Sequence, residues 1–216
     1  MENLILVGYE MILAGYEGLT VFVPAAITIW VLRLRYKKGN DRETGGHILW
    51  MLVFAVYIFG VFHFTGAGTI FHIKQYGLEY NVETINLMPF SDANMDKVGY
   101  GLNVVLFVPL GFLLPLIWSN LNKIKYACTA GILLSLLVEL SQLLNIRSTD
   151  IDDLILNSAG AMLGFLMFRL YSRITKRDVM PMAYCKYEAA IYISVMFLCR
   201  FFFYNELGIA KLLYGF

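Results

Sequence analysis

Charge is what this chain is short of. Only 15% of its 216 residues are Asp, Glu, Lys or Arg, whereas ordinary soluble domains carry about a quarter. With 59% hydrophobic residues and a mean hydropathy of +0.65, a soluble globular domain is excluded. Positive charge is not in excess either: the net charge is +1, which argues against nucleic acid as a partner. Cys128, Cys185 and Cys199 form an odd set without a C-x-x-C pair, so neither a disulfide framework nor a zinc site is expected. The sequence has no Walker A motif and no G-x-G-x-x-G; an ATP-driven pump is therefore not expected, and no cofactor is. No Ser-His-Asp or Cys-His arrangement can be argued from His47, His63 and His72. No Lys or Arg precedes Arg33. A cleaved signal peptide begins with basic residues, so the first apolar run is expected to remain as a span.

Long apolar runs fill the chain instead. A bilayer is crossed by about 17–25 apolar residues in a helix. Six runs qualify, approximately Ile12–Leu32, Ile48–Ile70, Leu102–Trp118, Tyr126–Leu144, Ile151–Tyr171 and Tyr187–Tyr204. The expected fold is all-α: a polytopic helical transmembrane bundle of about six spans, in one membrane domain covering residues 1–216. Pro109 and Pro115 in the third run are expected to kink it. Arg200 leaves the last run open between a full span and an interfacial helix. Trp50 and Trp118 are expected in aromatic belts at the membrane surface.

Loop charge sets orientation. The first, third and fifth loops hold twelve Lys and Arg residues, while the even loops and both tails hold four. This asymmetry places the basic loops in the cytoplasm and both termini outside. The Phe71–Gly101 loop and the hinge at Asn145–Asp150 then face outward.

The most polar stretch runs from Glu139 to Gly164, where two apolar segments meet at a hinge carrying Glu139, Gln142, Arg147, Asp150, Asp152, Asp153 and Asn157. Charge beside hydrocarbon is expensive and usually stays where it pairs or serves a function. Ser135, Glu139 and Gln142 follow i, i+4, i+7 spacing, so they share one face of the fourth helix. Asp150, Asp153 and Asn157 form a similar stripe on the fifth, continued by Gly160 and Gly164. A hairpin brings the two stripes together, with Asn103 expected to join Glu139, Asp153 and Asn157. Small residues admit another helix at close range, which makes Gly160 and Gly164 a candidate homo-oligomer contact.

Structural duties compete with functional ones. Asp150 and Asp153 suit the N-terminus of a helix, and Gln142 and Asn157 suit interhelical hydrogen bonding. Arg147 is divided between an ion pair with Asp150 or Asp152 and a bidentate clamp on phosphate or carboxylate. Glu139, Asp152 and Asp153 are the candidate catalytic residues, since paired carboxylates perform general acid/base work. The same acids offer oxygen ligands to a hard cation, and the metal question stays open. Glu17, i+7 from Glu10, is expected to reach the interface, and His63 to be a packing residue.

A second signature lies upstream: Asn86-Leu87-Met88-Pro89-Phe90, then Asn103 leading into Leu106-Phe107-Val108-Pro109-Leu110-Gly111. Together with the Glu139–Gly164 stretch it resembles the VanZ-like membrane protein family, over residues 85–170. The resemblance implies a multi-pass protein of the bacterial plasma membrane, associated with resistance to teicoplanin-type glycopeptide antibiotics and acting at the cell envelope. It carries over Asn86, Pro89, Phe90, Asn103, Phe107, Pro109, Gly111, Glu139, Gln142, Arg147, Asp152, Asp153, Asn157, Gly160 and Gly164. The substrate-binding set expected from it is Asn86, Asn103, Glu139, Gln142, Arg147, Asp152, Asp153 and Asn157. Membrane lipid and a lipoglycopeptide or cell-wall precursor are the implied partners. Three mechanisms remain: capture of drug or precursor at the outer leaflet, enzymatic modification of an envelope lipid or polymer, and transport of a small solute or proton. The absence of inverted repeats counts against transport.

Overall fold

In lipid, a spanning segment must satisfy its own backbone polar groups, which leaves helices as the solution for apolar runs of this length. The computed structural model describes residues 2–36, 41–77, 85–90, 97–145, 149–175 and 185–214. Its helices are α1 (Glu2–Arg35), α2 (Asp41–Thr65), α3 (Ile70–Tyr76), α4 (Lys97–Ile117), α5 (Ile124–Gln142), α6 (Ile151–Thr175), α7 (Glu188–Phe203) and α8 (Glu206–Tyr214). Among the described residues, five helical stretches are long and apolar enough to cross a membrane. A sixth is made if α7 and α8, bent by 41° at their junction, count as one span. The fold is the expected all-α bundle. Arg200 is only 4% exposed, so that face of α7 packs against the rest of the bundle.

The second expected run is where structure and expectation diverge most. It stops at Thr65 and resumes as α3 at Ile70. Gly66 has φ 62°, and the Ala67 N–H bonds back to the Phe62 carbonyl at 3.1 Å. This is a left-handed helix stop of the Schellman type, which glycine adopts without a Cβ penalty. The freed carbonyls are tolerated at this depth because side chains from elsewhere cap them. Gln142 Nε2 donates to Thr65 O (2.8 Å), Asn145 Nδ2 to Gly66 O (3.1 Å) and Arg200 Nη1 to Ala67 O (2.8 Å). The Gly68 N–H donates to Ser141 Oγ at 2.9 Å, and a Cβ on Gly68 would lie 1.9 Å from the Ser141 carbonyl.

Close approach of small residues fixes the centre of the bundle. A Cβ on Gly160 would meet the Val104 carbonyl at 2.2 Å, and one on Gly164 the Val108 carbonyl at 1.9 Å. Gly111 of α4 faces the Ala161 carbonyl in the same way, at 1.7 Å. Thus α4 and α6 run parallel with their backbones nearly touching. The Gly160/Gly164 stripe packs against α4 of the same chain. Helix α5 runs antiparallel to α6, with Gly131 against Ser158 and Ala161. A two-residue parallel bridge, β1 (Ile85–Asn86) with β2 (Thr149–Asp150), ties the segments leading into α4 and α6.

The apolar core joins Val21, Phe54, Phe62, Leu114, Trp118 and Met196, all but fully buried. Trp118 is therefore not in a surface belt; its ring stands edge-on to Phe54, with centroids 5.1 Å apart.

Candidate functional site

The hinge acids divide into two groups. The first fastens the loop that precedes α4. Asp150 Oδ1 accepts the Asp152 N–H at 2.8 Å, the N-cap geometry that satisfies an otherwise orphaned helix donor. Asp150 Oδ2 accepts from Asn86 Nδ2 at 3.1 Å. Asp152 is 1% exposed. Its carboxylate accepts the Phe90 N–H at 2.9 Å and the Tyr100 hydroxyl at 2.5 Å. Phe90 itself is held at φ 54°. Asn86 and Asp152 thus pin the Asn86–Phe90 turn onto the start of α6.

The second group lines a cavity of about 490 Å³ between the end of α2 and helices α4, α5 and α6. Glu139, Gln142, Asn103, Asp153 and Asn157 face it, while Asn86 and Asp152 do not. The i, i+4, i+7 stripe is realised: Ser135, Glu139 and Gln142 are all buried. Glu139 Oε2 accepts the Asp150 N–H at 3.3 Å, which links the clamp to the cavity. Asn103 Nδ2 donates to Asp153 Oδ1. Asn157 Nδ2 donates to Ser135 Oγ at 2.9 Å and Gln142 Nε2 to Thr65 O at 2.8 Å. The two amide oxygens, Asn157 Oδ1 and Gln142 Oε1, are buried without a protein partner. Leaving an acceptor buried and unmade costs about 1–3 kcal/mol. Glu139, Asp153, Asn103 and Asn157 therefore share one cavity, although Asn157 bonds Ser135 in preference to the acids. Arg147 lies outside the described residues.

The walls above this polar floor are apolar. Phe64, Leu102 and Val105 line the cavity while staying 74%, 62% and 65% exposed on the outer surface of spanning helices. The mouth of the cavity is therefore flanked by exposed apolar side chains.

The VanZ/LLP1 family model matches residues 48–172, more than half of the chain, and that stretch contains every residue placed around the cavity. The chain belongs to the VanZ/LLP1 family. No curated protein and no solved structure matches it. The match extends the motif-bearing region back over α2, so the helix stop at Gly66 is part of the family region, while α1, α7 and α8 lie outside it. At the family level this is a VanZ-like membrane protein linked to glycopeptide resistance.

A second polar centre was missed in the sequence. Glu17, expected at the interface, is 2% exposed. Its Oε1 receives Arg200 Nε and Nη2, each at 2.7 Å, and its Oε2 contacts His63 Nδ1 at 2.7 Å. These residues border a cavity of about 300 Å³ on the far side of the α2 stop, together with Glu10, His72 and Glu206. The available signal was Arg200 itself: a cation in an apolar run requires a partner, and intramembrane acids are few. The Glu188–His47 pair, fully buried at 2.6 Å near the opposite end of α7, follows the same rule.

Proposed function

We propose that this VanZ/LLP1-family protein sits in the bacterial plasma membrane with both termini outside, and captures an amphiphile from the outer leaflet. The captured molecule is an acylated glycopeptide of the teicoplanin type or a lipid-linked wall precursor, so that drug and target fail to meet. The observation that carries this reading is a cavity with a polar floor, apolar walls and a mouth flanked by exposed apolar side chains. Such a shape suits a ligand with one apolar and one polar end. The basic residues near the opposite end of the bundle support an outward-facing mouth.

One observation favours a second reading. Glu139 and Asp153 border the same cavity, and paired carboxylates perform general acid/base chemistry, here on an envelope lipid or polymer. One experiment serves both. A deletion strain is complemented with wild type, Glu139→Gln or Asp153→Asn at matched protein level, and both drug susceptibility and drug binding by purified protein are measured. Capture predicts that protection and binding fall together. Catalysis predicts that Glu139→Gln abolishes protection while binding survives. If wild type leaves susceptibility unchanged, the glycopeptide reading is wrong for this chain.

A further inference from the structure

Two uncharged amides specify the polar end of the ligand. Gln142 is 6% exposed and Asn157 3%, and both line the α4–α5–α6 cavity. Gln142 Nε2 donates to the Thr65 carbonyl. A carbonyl only accepts, so this amide has one orientation, and its Oε1, without a partner among the described residues, is an acceptor. Asn157 differs. Its Nδ2 donates to Ser135 Oγ, and a hydroxyl both donates and accepts. That amide can therefore also sit end for end, with its nitrogen in place of Oδ1 as the unpartnered atom. The carboxylates of Glu139 and Asp153 stand in the same cavity and already accept hydrogen bonds, from the Asp150 N–H and from Asn103 Nδ2. The unmet demand is for hydrogen bonds at two neutral groups, one needing a donor and the other able to take either kind of partner. Hydroxyls supply both, whereas an ammonium only donates and a carboxylate or phosphate only accepts. A site with buried acceptors discriminates against a head that lacks donors, because the acceptors are then left unpaired. The volume of about 490 Å³ lies within the range of small-molecule sites, about 300–1,000 Å³. Phe64, Leu102 and Val105, exposed at the mouth, offer an apolar surface to a chain attached to that head.

We propose that the α4–α5–α6 cavity binds an uncharged, hydroxyl-rich head group, of the kind a sugar provides, carried on an acyl or alkyl chain. This rests on the capture reading above and names the head of what is captured. The sugar has two sources, a glycolipid of the membrane or the glycosyl part of an acylated glycopeptide.

The test uses the full chain in phosphatidylcholine nanodiscs, with thermal stability read against dioleoyl lipids that differ in the head alone. Glucosyl-dioleoylglycerol offers donors and acceptors. Its fully O-methylated derivative keeps the acceptors and loses every donor. Two further dioleoyl lipids carry a primary ammonium and a phosphate. The glucosyl lipid is expected to stabilise the protein at mole fractions about tenfold or more below each of the others, a tenfold ratio being about 1.4 kcal/mol. Asn157→Leu and Gln142→Met are each expected to shrink its advantage over the O-methylated lipid to roughly threefold or less. That advantage is a ratio within one variant, so a general loss of stability does not move it, and the wild-type comparison decides the matter if a variant does not fold. Displacement of the glucosyl lipid by a lipoglycopeptide, and not by its deglycosylated form, assigns the sugar to the drug; displacement by neither assigns it to a membrane glycolipid. Equal stabilisation by the glucosyl and O-methylated lipids would overturn the hydroxyl assignment while leaving capture intact. A lower effective mole fraction for the ammonium or the phosphate lipid would overturn it in favour of a charged head. No response to any of the lipids would sink the capture reading and this inference with it.

Discussion

Glu17 and Arg200 show what a single pair of residues contributes to a membrane bundle. Each charge alone is costly in hydrocarbon, and together they are tolerated because they meet at 2.7 Å inside the protein. Arg200 has further duties: it caps the Ala67 carbonyl at the α2 stop and lies over the rings of Phe62 and Tyr204, at 5.7 and 5.1 Å. Removing one member of a buried pair typically costs about 3–5 kcal/mol, whereas an apolar pair of similar volume is often neutral. Arg200→Met is therefore expected to lower the thermal unfolding midpoint in detergent more than Glu17→Leu, because it also uncaps a carbonyl. The double variant is expected to be more stable than the sum of the two losses. Strict additivity would show that the pair does not act as a unit. Neither residue lines the α4–α5–α6 cavity, so binding there is expected to persist in the double variant.

Among the elements, the parallel α4/α6 pair organises the cavity. Gly160, Gly164 and Gly111 set the backbones in register, and that register delivers Asn103 to Asp153. Gly164→Ala would place a methyl 1.9 Å from the Val108 carbonyl, so the helices must part. It is expected to cost several kcal/mol, within the range of overpacking changes at about 1–3 kcal/mol or above it. Gly15→Ala on α1, with nothing within 4 Å of a new Cβ, is expected to be neutral or to stabilise by up to about 1 kcal/mol through helix propensity. Thermal unfolding of the two purified variants decides it; equal midpoints would remove the close-packing argument. The same elements show how far the sequence could be read. Apolar length revealed the spans, and helical periodicity alone put Ser135, Glu139 and Gln142 on one buried face. The division of the hinge acids was not legible, because Asp152 meets its partners Phe90 and Tyr100 across a stretch of 52 residues or more. The stop at Gly66 was hidden for a similar reason. Its carbonyls are capped from α5, the turn after it and α7, and no local pattern announces donors that arrive from 77 to 133 residues away.

At the scale of the whole molecule, the bundle has two unlike ends. One gathers Glu17, His63, Asn103, Glu139, Asp153 and Arg200, joined through the contacts between α1 and α7, α1 and α2, and α4 and α6, with both polar cavities beside them. Near the other lie Arg33 and Arg35 in the last turn of α1, Lys123 and Lys125 at the start of α5, and Arg173 in the last turn of α6. Cationic loops are retained on the cytoplasmic side during insertion, so the cavity end is expected to face outward. Met88, 71% exposed in the turn held by Asp152, and Lys123, exposed at the opposite end, are suitable reporters. In a protein whose Cys128, Cys185 and Cys199 are replaced, Met88→Cys is expected to react with an impermeant thiol reagent on intact cells, and Lys123→Cys only after permeabilisation. The reverse pattern would turn the bundle over. A cavity facing the cytoplasmic leaflet would have no access to an extracellular glycopeptide, and the capture mechanism would fail on geometry alone.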